Sequence, residues 1–174
     1  MGQAELLVDG TPGDTEVVWG TRVDPARIQL VSVPLPGSGH RHGDVVLHDG
    51  DTQGTRRLGD EEVGVFNEIE LWARSPRPTL SLVVTATAGD ADQLVDALDA
   101  AGLAGEDWTT NVRMLCAACS NGSPGGHDHP GRAAADGERT IGISGLPDDA
   151  AAVVTAWLAA GPGRAADELT VELE

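Results

Sequence analysis

A chain of 174 residues, 40% of them hydrophobic, can bury a core of its own, as one ordinary domain or two small ones. Its 11 basic residues, all arginine, face 28 acidic ones, and the net charge of −17 repels phosphate backbones and anionic lipid, which argues against nucleic-acid and membrane partners. A basic protein or a metal cation is the electrostatic match, although acid excess also serves solubility alone.

No apolar run is long enough to span a bilayer, and the start MGQAELLVDG lacks the basic and apolar blocks of a signal peptide, so the expectation is a cytoplasmic protein. In that reducing compartment two cysteines are too few for a disulfide scaffold, and a close pair points to metal or redox chemistry.

In chain order, residues 1–15 are polar and Gly-rich and read as an edge strand or a loose tail. Glu16 to Val23, Arg27 to Val33 and Asp44 to His48 read as strands, the second with Ile28, Leu30 and Val33 near period two. Pro34, Pro36 and Gly37 end it, and Asp49-Gly50-Asp51 is a turn signal. Val63 to Arg74 resumes extended patterning with Ile69 and Leu71 on one face. A small, mostly-β module over residues 1–76 is therefore expected, with the Pro-rich stretch Ser75-Pro76-Arg77-Pro78 as its boundary.

Beyond it the periodicity alternates. Thr79 to Thr87 is a β-branched strand, and Asp90 with Gln93 resembles a capping box opening a helix over 91–101, with Leu94, Val95 and Leu98 inward. Asp107 to Leu115 reads as the next strand and Arg139 to Ser144 as a third. Pro147 opens a helix over 148–160 with Val153, Val154, Trp157 and Leu158 inward, and Glu168 to Leu173 closes the chain. This order predicts an α+β protein whose residues 77–174 form a ferredoxin-like β-α-β-β-α-β unit.

On that plan residues 116–138 join the second and third strands of the unit, longer than a compact domain usually leaves unstructured. The segment holds both cysteines: Cys116-Ala117-Ala118-Cys119, then SNGSPGG, then His127-Asp128-His129. A C-x2-C pair brings two thiolates to one ion, and in extended backbone the imidazoles of H-x-H share a side. Cys116, Cys119, His127 and His129 thus offer zinc a neutral, closed Cys2His2 set, the structural pattern. Asp128, Asp136 and Glu138 stand near enough in sequence to orient the imidazoles. A redox C-x-x-C, a pair of inert buried thiols and a solvated HDHP turn are the other readings; the redox one lacks the following helix that lowers a thiol pKa. His40-x-His42 is a second H-x-H, able to complete the ligand set or form a site of its own, with a solvent-facing loop pair as the plainer reading. His48 reads as a hydrogen-bonded residue at the core edge.

No nucleophile elbow, Walker loop, H-E-x-x-H or dinucleotide fingerprint is present. The expected function is a zinc-binding, non-enzymatic protein-interaction or regulatory module with a protein partner, basic in character. Two alternatives are a metal-dependent enzyme of hydrolytic or biosynthetic type with an open coordination position, and an acidic inhibitor or immunity-type protein. The run RIQLVSVPLPGSGHRHGDVVLHD, residues 27–49, resembles the x-N-x-P-hydrophobic…GDVV segment of an uncharacterised bacterial family, a domain of unknown function, with Ser32 where that family carries Asn. Residues 112–130 are similar to a Cys/His segment of uncharacterised actinobacterial proteins. Neither resemblance implies an activity.

Overall fold

The computed structural model describes residues 3–9, 15–58, 61–109, 114–115 and 137–174. Among the described residues the chain is α+β, with two helices, two sheets and more residues in strands than in helices. It divides into two compact units, one of the described residues up to Ser75 with Met114–Leu115, the other of those from Pro76 to Thr109 and from Gly137 to Glu174.

In the first unit, β1 (Gln3–Asp9), β2 (Thr15–Asp24), β3 (Arg27–Leu30), β4 (Val45–Leu58) and β5 (Glu61–Ala73) each pair antiparallel with the next. β1 also pairs with β5, in parallel, from Glu5 opposite Val65 to Leu7 opposite Asn67. An up-and-down run of five strands points its first and fifth the same way, so the pair that closes the ring must be parallel. β1 is therefore neither an edge nor a tail: both its edges are paired, which closes the sheet into a barrel without a free edge between β1 and β5. Val18, Ile28, Leu30, Val46 and Phe66 fill the interior. At Gly20 an added methyl group would collide with the Ile28 side chain, so only glycine lets β2 approach β3 this closely.

The Asp49-Gly50-Asp51 signal does not make a hairpin turn. β4 runs on through it as a bulge: His48 faces Glu68 and Thr52 faces Phe66, and Gly50 takes a left-handed φ of 80° to absorb the extra residues. A turn signal marks a positive φ, and here a bulge uses it. Nor do Ile69 and Leu71 share one face as expected, because register shifts divide β5 and leave Ile69 63% exposed while Leu71 packs on the core.

The second unit runs β6 (Thr79–Ala86), α1 (Ala88–Ala100), β7 (Ala104–Asp107), β9 (Gly137–Ser144), α2 (Pro147–Ala160), β10 (Ala165–Ala166) and β11 (Thr170–Leu173). Both β10 and β11 pair with β6, β6 pairs with β9 and β9 with β7, all antiparallel. Leu80, Leu82 and Val84 from β6 meet Ile141 and Ile143 from β9, Leu94 and Leu98 from α1, and Val154 and Trp157 from α2. At roughly 1.5–3 kcal/mol per fully buried large apolar side chain, this cluster is the unit's principal stabilisation.

Two departures from the sequence expectation bear on the helices and on the approach to the Cys/His segment. Helix α1 starts three residues early because Thr87, not Asp90, is its N-cap: Thr87 Oγ1 accepts from the Asp90 N–H at 3.1 Å and donates to Asp90 Oδ2 at 2.7 Å. The stretch from Asp107 to Leu115 is not one strand. β7 ends at Asp107, and Met114–Leu115 forms β8, paired with Thr15–Glu16 of β2 in the first unit's sheet.

Candidate functional site

The Cys/His segment lies between β8 and β9. Leu115 is registered opposite Thr15, and Gly137 opposite Ala86 with a φ of 146° that favours glycine. Cys116, Cys119, His127, Asp128, His129 and Asp136 lie outside the described residues. Glu138 is exposed on β9, opposite Thr85. Among the described residues no three His, Cys, Asp or Glu side chains converge as a metal-holding group.

His40 and His42 are among the described residues. Between β3 and β4 the chain VSVPLPGSGHRHGD makes a tied loop with a single 3-10 turn at Pro36–Ser38, which Gly39 ends with a φ of 71°. Two prolines remove backbone donors there, and buried side chains secure much of what remains. Glu16, 1% exposed, turns both carboxylate oxygens to the Leu35 N–H at 3.0 and 3.1 Å, and Ser32 Oγ accepts from the Trp19 N–H at 2.9 Å.

His40 is not solvent-facing; it is 8% exposed. Its Nε2 lies 2.9 Å from Glu68 Oε2 on β5, and its Nδ1 lies 3.6 Å from Asp44 Oδ2, an electrostatic contact longer than a hydrogen bond. Asp44 is fully buried and accepts from the Ser75 N–H at 2.6 Å and the Arg41 N–H at 3.0 Å, with Arg74 NH1 at 3.5 Å. Gly43, at a φ of 87°, lets the backbone turn tightly beside the Ser75 side chain. His42 is half-buried on the same turn.

These charges set each other's protonation. Burial opposes the imidazolium of His40, but the Asp44 and Glu68 carboxylates outweigh it and raise the pKa to about 9, so the ring is charged at neutral pH. Burial likewise opposes the Asp44 carboxylate, yet His40, the Ser75 and Arg41 N–H groups and Arg74 together hold it below the ordinary value. The charged ring thus joins the loop to β5, and Asp44 joins it to the end of the unit. Sequence reading reached His40 but missed Glu68, Arg74 and Ser75, because their approach depends on the β4–β5 register and its bulges.

His48 behaves as expected of a core-edge residue. It is 3% exposed, its Nδ1 accepts from the Gly50 N–H at 3.1 Å, and its ring lies 4.5 Å from that of Phe66. Burial first, and the Arg22 charge second, lower its pKa and keep it neutral.

No helix among the described residues is long and apolar enough to cross a membrane. No family model matches the sequence, and a comparison with curated proteins gives no significant match. In structure the chain is similar to a hypothetical protein from Neisseria gonorrhoeae, with a TM-score of 0.38 and 11% identity over 99% of this chain and 96% of that one, a likeness from which no activity follows.

Proposed function

We propose that this chain is a zinc-binding, non-enzymatic module for protein interaction or regulation, with a structural site formed by Cys116, Cys119, His127 and His129. The observation that carries the reading is the ligand set itself: a C-x2-C pair and an H-x-H pair separated by the seven residues SNGSPGG, four of them Gly or Pro, which can fold back on one ion. Two thiolates and two neutral imidazoles neutralise the ion and complete a tetrahedron, leaving no position for a substrate or an activated water. The β-α-β-β-α-β order and the strand order β11-β6-β9-β7 support a ferredoxin-like fold for the second unit. The Cys/His segment follows β8 on the way from β7 to β9, and an ion would stand in for the apolar core that its sequence lacks.

The partner is a protein of basic character, the complement of a net charge of −17. The same charge supports a second reading, an acidic inhibitor that covers a basic surface of its target. A reducing compartment such as the cytoplasm suits the thiolate ligands.

Metal analysis of natively purified protein tests the site. One zinc per chain is expected, falling below about half an equivalent in Cys119→Ser, since structural sites bind tightly enough to survive purification. Wild-type protein carrying less than about half an equivalent removes the reading. Full zinc retention in Cys119→Ser and in His129→Ala removes the ligand assignment.

A further inference from the structure

The edge of the second unit's sheet is interrupted beside α2. Ala166 of β10 is opposite Val84 and Thr170 of β11 is opposite Ser81, so Asp167, Glu168 and Leu169 stand against Leu82 and Val83 alone. The Asp167 N–H still reaches the Val83 carbonyl at 2.9 Å, and the extra residue is taken up as a bulge. Between this bulge and α2 a groove of about 410 Å³ opens, within the size range of pockets that hold small molecules or side chains.

Its floor is apolar, from Leu82 on β6, Val154 and Leu158 on α2, and Ala166 and Leu169 at the edge. Its rim is acidic, from Asp148, Asp167 and Glu168, all exposed. Asp148 has an internal task in the first turn of α2, where a carboxylate complements the helix dipole. Asp167 and Glu168 have none: among the described residues no cation pairs with them. The arginines described in this unit are engaged elsewhere, Arg77 on the Gly102 carbonyl, Arg139 on Asp107, and Arg164 on Asp90, Gln93 and the Trp157 carbonyl. The sequence contains no lysine.

An apolar floor under three carboxylates selects its occupant. A neutral apolar segment would strip water from the carboxylates without replacing it, and an acidic one would be repelled. An arginine or lysine side chain satisfies both layers, because its aliphatic stem lies along apolar surface while its charged head stays at the carboxylates. We propose that the groove formed by α2 and the β10–β11 bulge docks a segment of a basic protein, seating an arginine or lysine stem on Leu82, Val154 and Leu158 with its charge among Asp148, Asp167 and Glu168. The proposal rests on the reading of the chain as an interaction module and does not depend on the zinc site.

The test is fluorescence anisotropy of a labelled peptide of alternating arginine and leucine, titrated with the full chain. Asp167→Asn with Glu168→Gln is expected to weaken binding at least about tenfold. Ala151→Trp, an exposed helix position on the groove, fills the space without altering charge and is expected to weaken binding comparably. Asp92→Asn with Asp96→Asn removes the same two charges from the exposed face of α1, and binding should then change less than about twofold. Equal weakening by the two charge pairs assigns the attraction to the net charge and overturns the groove. No binding, or binding untouched by Ala151→Trp, overturns it as well. A concentration-dependent dimer that Ala151→Trp abolishes would assign the groove to a second copy instead. Zinc content of the same samples reports separately on the metal reading, so either can fail alone.

Discussion

His40 Nε2 stands 2.9 Å from Glu68 Oε2, a contact between a loop and a strand that are far apart in sequence and meet through the barrel's register. The loop between β3 and β4 buries Val33 and Pro34 but is otherwise mostly glycine and polar residues, so buried polar side chains supply much of what orders it. His40, Asp44, Glu16 and Ser32 are those side chains.

His40→Gln should therefore destabilise the protein by about 2 kcal/mol, the range for a hydrogen bond between charged partners, with Glu68 left facing a neutral side chain. Urea unfolding followed by far-UV circular dichroism measures this as a lower midpoint at an unchanged slope. A loss below about 0.5 kcal/mol would place the pair among ordinary surface contacts and contradict the assignment.

The same pair predicts a pH dependence with a definite sign. The folded pKa of His40 is raised from 6.5 to about 9, so the folded state binds the proton more tightly than the unfolded one. Its contribution is complete below pH 6.5 and disappears as the pH rises through about 9. His48 acts in the opposite sense: its folded pKa is lowered, so its contribution is present above pH 6.5 and is lost as the pH falls from there through its folded pKa. The quantity to follow is thus the stability difference between wild type and His40→Gln from pH 6 to 10, which should shrink across the upper window. A constant difference would refute the linkage.

Asp44 provides the acid counterpart. Its folded pKa lies below 3.8, so its stabilisation is present above that pH and is lost as the pH falls through the folded value. Asp44→Asn should flatten the acid limb of the stability profile while lowering the plateau, since an amide cannot accept from Ser75 and Arg41 and also face His40 as an anion. An acid limb of unchanged steepness in the variant would show that other carboxylates control it.

How far the sequence revealed these arrangements depends on the range of each interaction. Local signals were readable: the β-branched run at Thr79, the Pro147 helix start, and the inward positions Leu94, Leu98, Val154 and Trp157 all reflect periodicity within one element. Boundaries set by competition between neighbours were less so, as when Thr87 took the cap from Asp90. Barrel closure was not readable, because nothing in β1 itself declares a parallel partner on β5. Asp49-Gly50-Asp51 was misleading for a related reason, since a left-handed glycine serves a bulge as well as a turn. His40 was found as half of an H-x-H motif, yet its neighbours Glu68 and Asp44 reveal a buried ion network that no spacing rule contains. For Cys116, Cys119, His127 and His129 the ligand types are legible in sequence, and their geometry lies outside the described residues.

Gly142 on β9 carries a steric prediction. A methyl group there would overlap the indole of Trp108, a residue that follows β7 and whose backbone N–H donates to the Thr140 carbonyl at 2.9 Å. Gly142→Ala should cost about 1–3 kcal/mol by overpacking. Trp108→Ala made alone should also destabilise, but in the double variant the second change should cost less than it does singly, because the cavity from the lost indole accepts the methyl. Simple additivity in urea unfolding would show that the ring is not what the methyl meets.

The cap of α1 is predicted to matter beyond its own turn. Thr87 Oγ1 accepts from the Asp90 N–H and donates to the Asp90 carboxylate, and that first turn is also where α2 makes contact, through Trp157 Nε1 to the Asp90 carbonyl at 2.9 Å. Arg164 adds its guanidinium to Asp90 and stacks 4.9 Å over the Trp157 ring, so both helices converge on one residue. Thr87→Ser retains the oxygen and should be nearly neutral, whereas Thr87→Ala should lose about 1 kcal/mol, as capping residues do. Thr87→Val keeps the shape and removes both hydrogen bonds, so it should behave like alanine rather than like serine. Because Trp157 shares the turn, its fluorescence should shift in the alanine and valine variants under native conditions and stay put in the serine variant. Equal stability across all three would mean that the observed cap bonds make no net contribution against water.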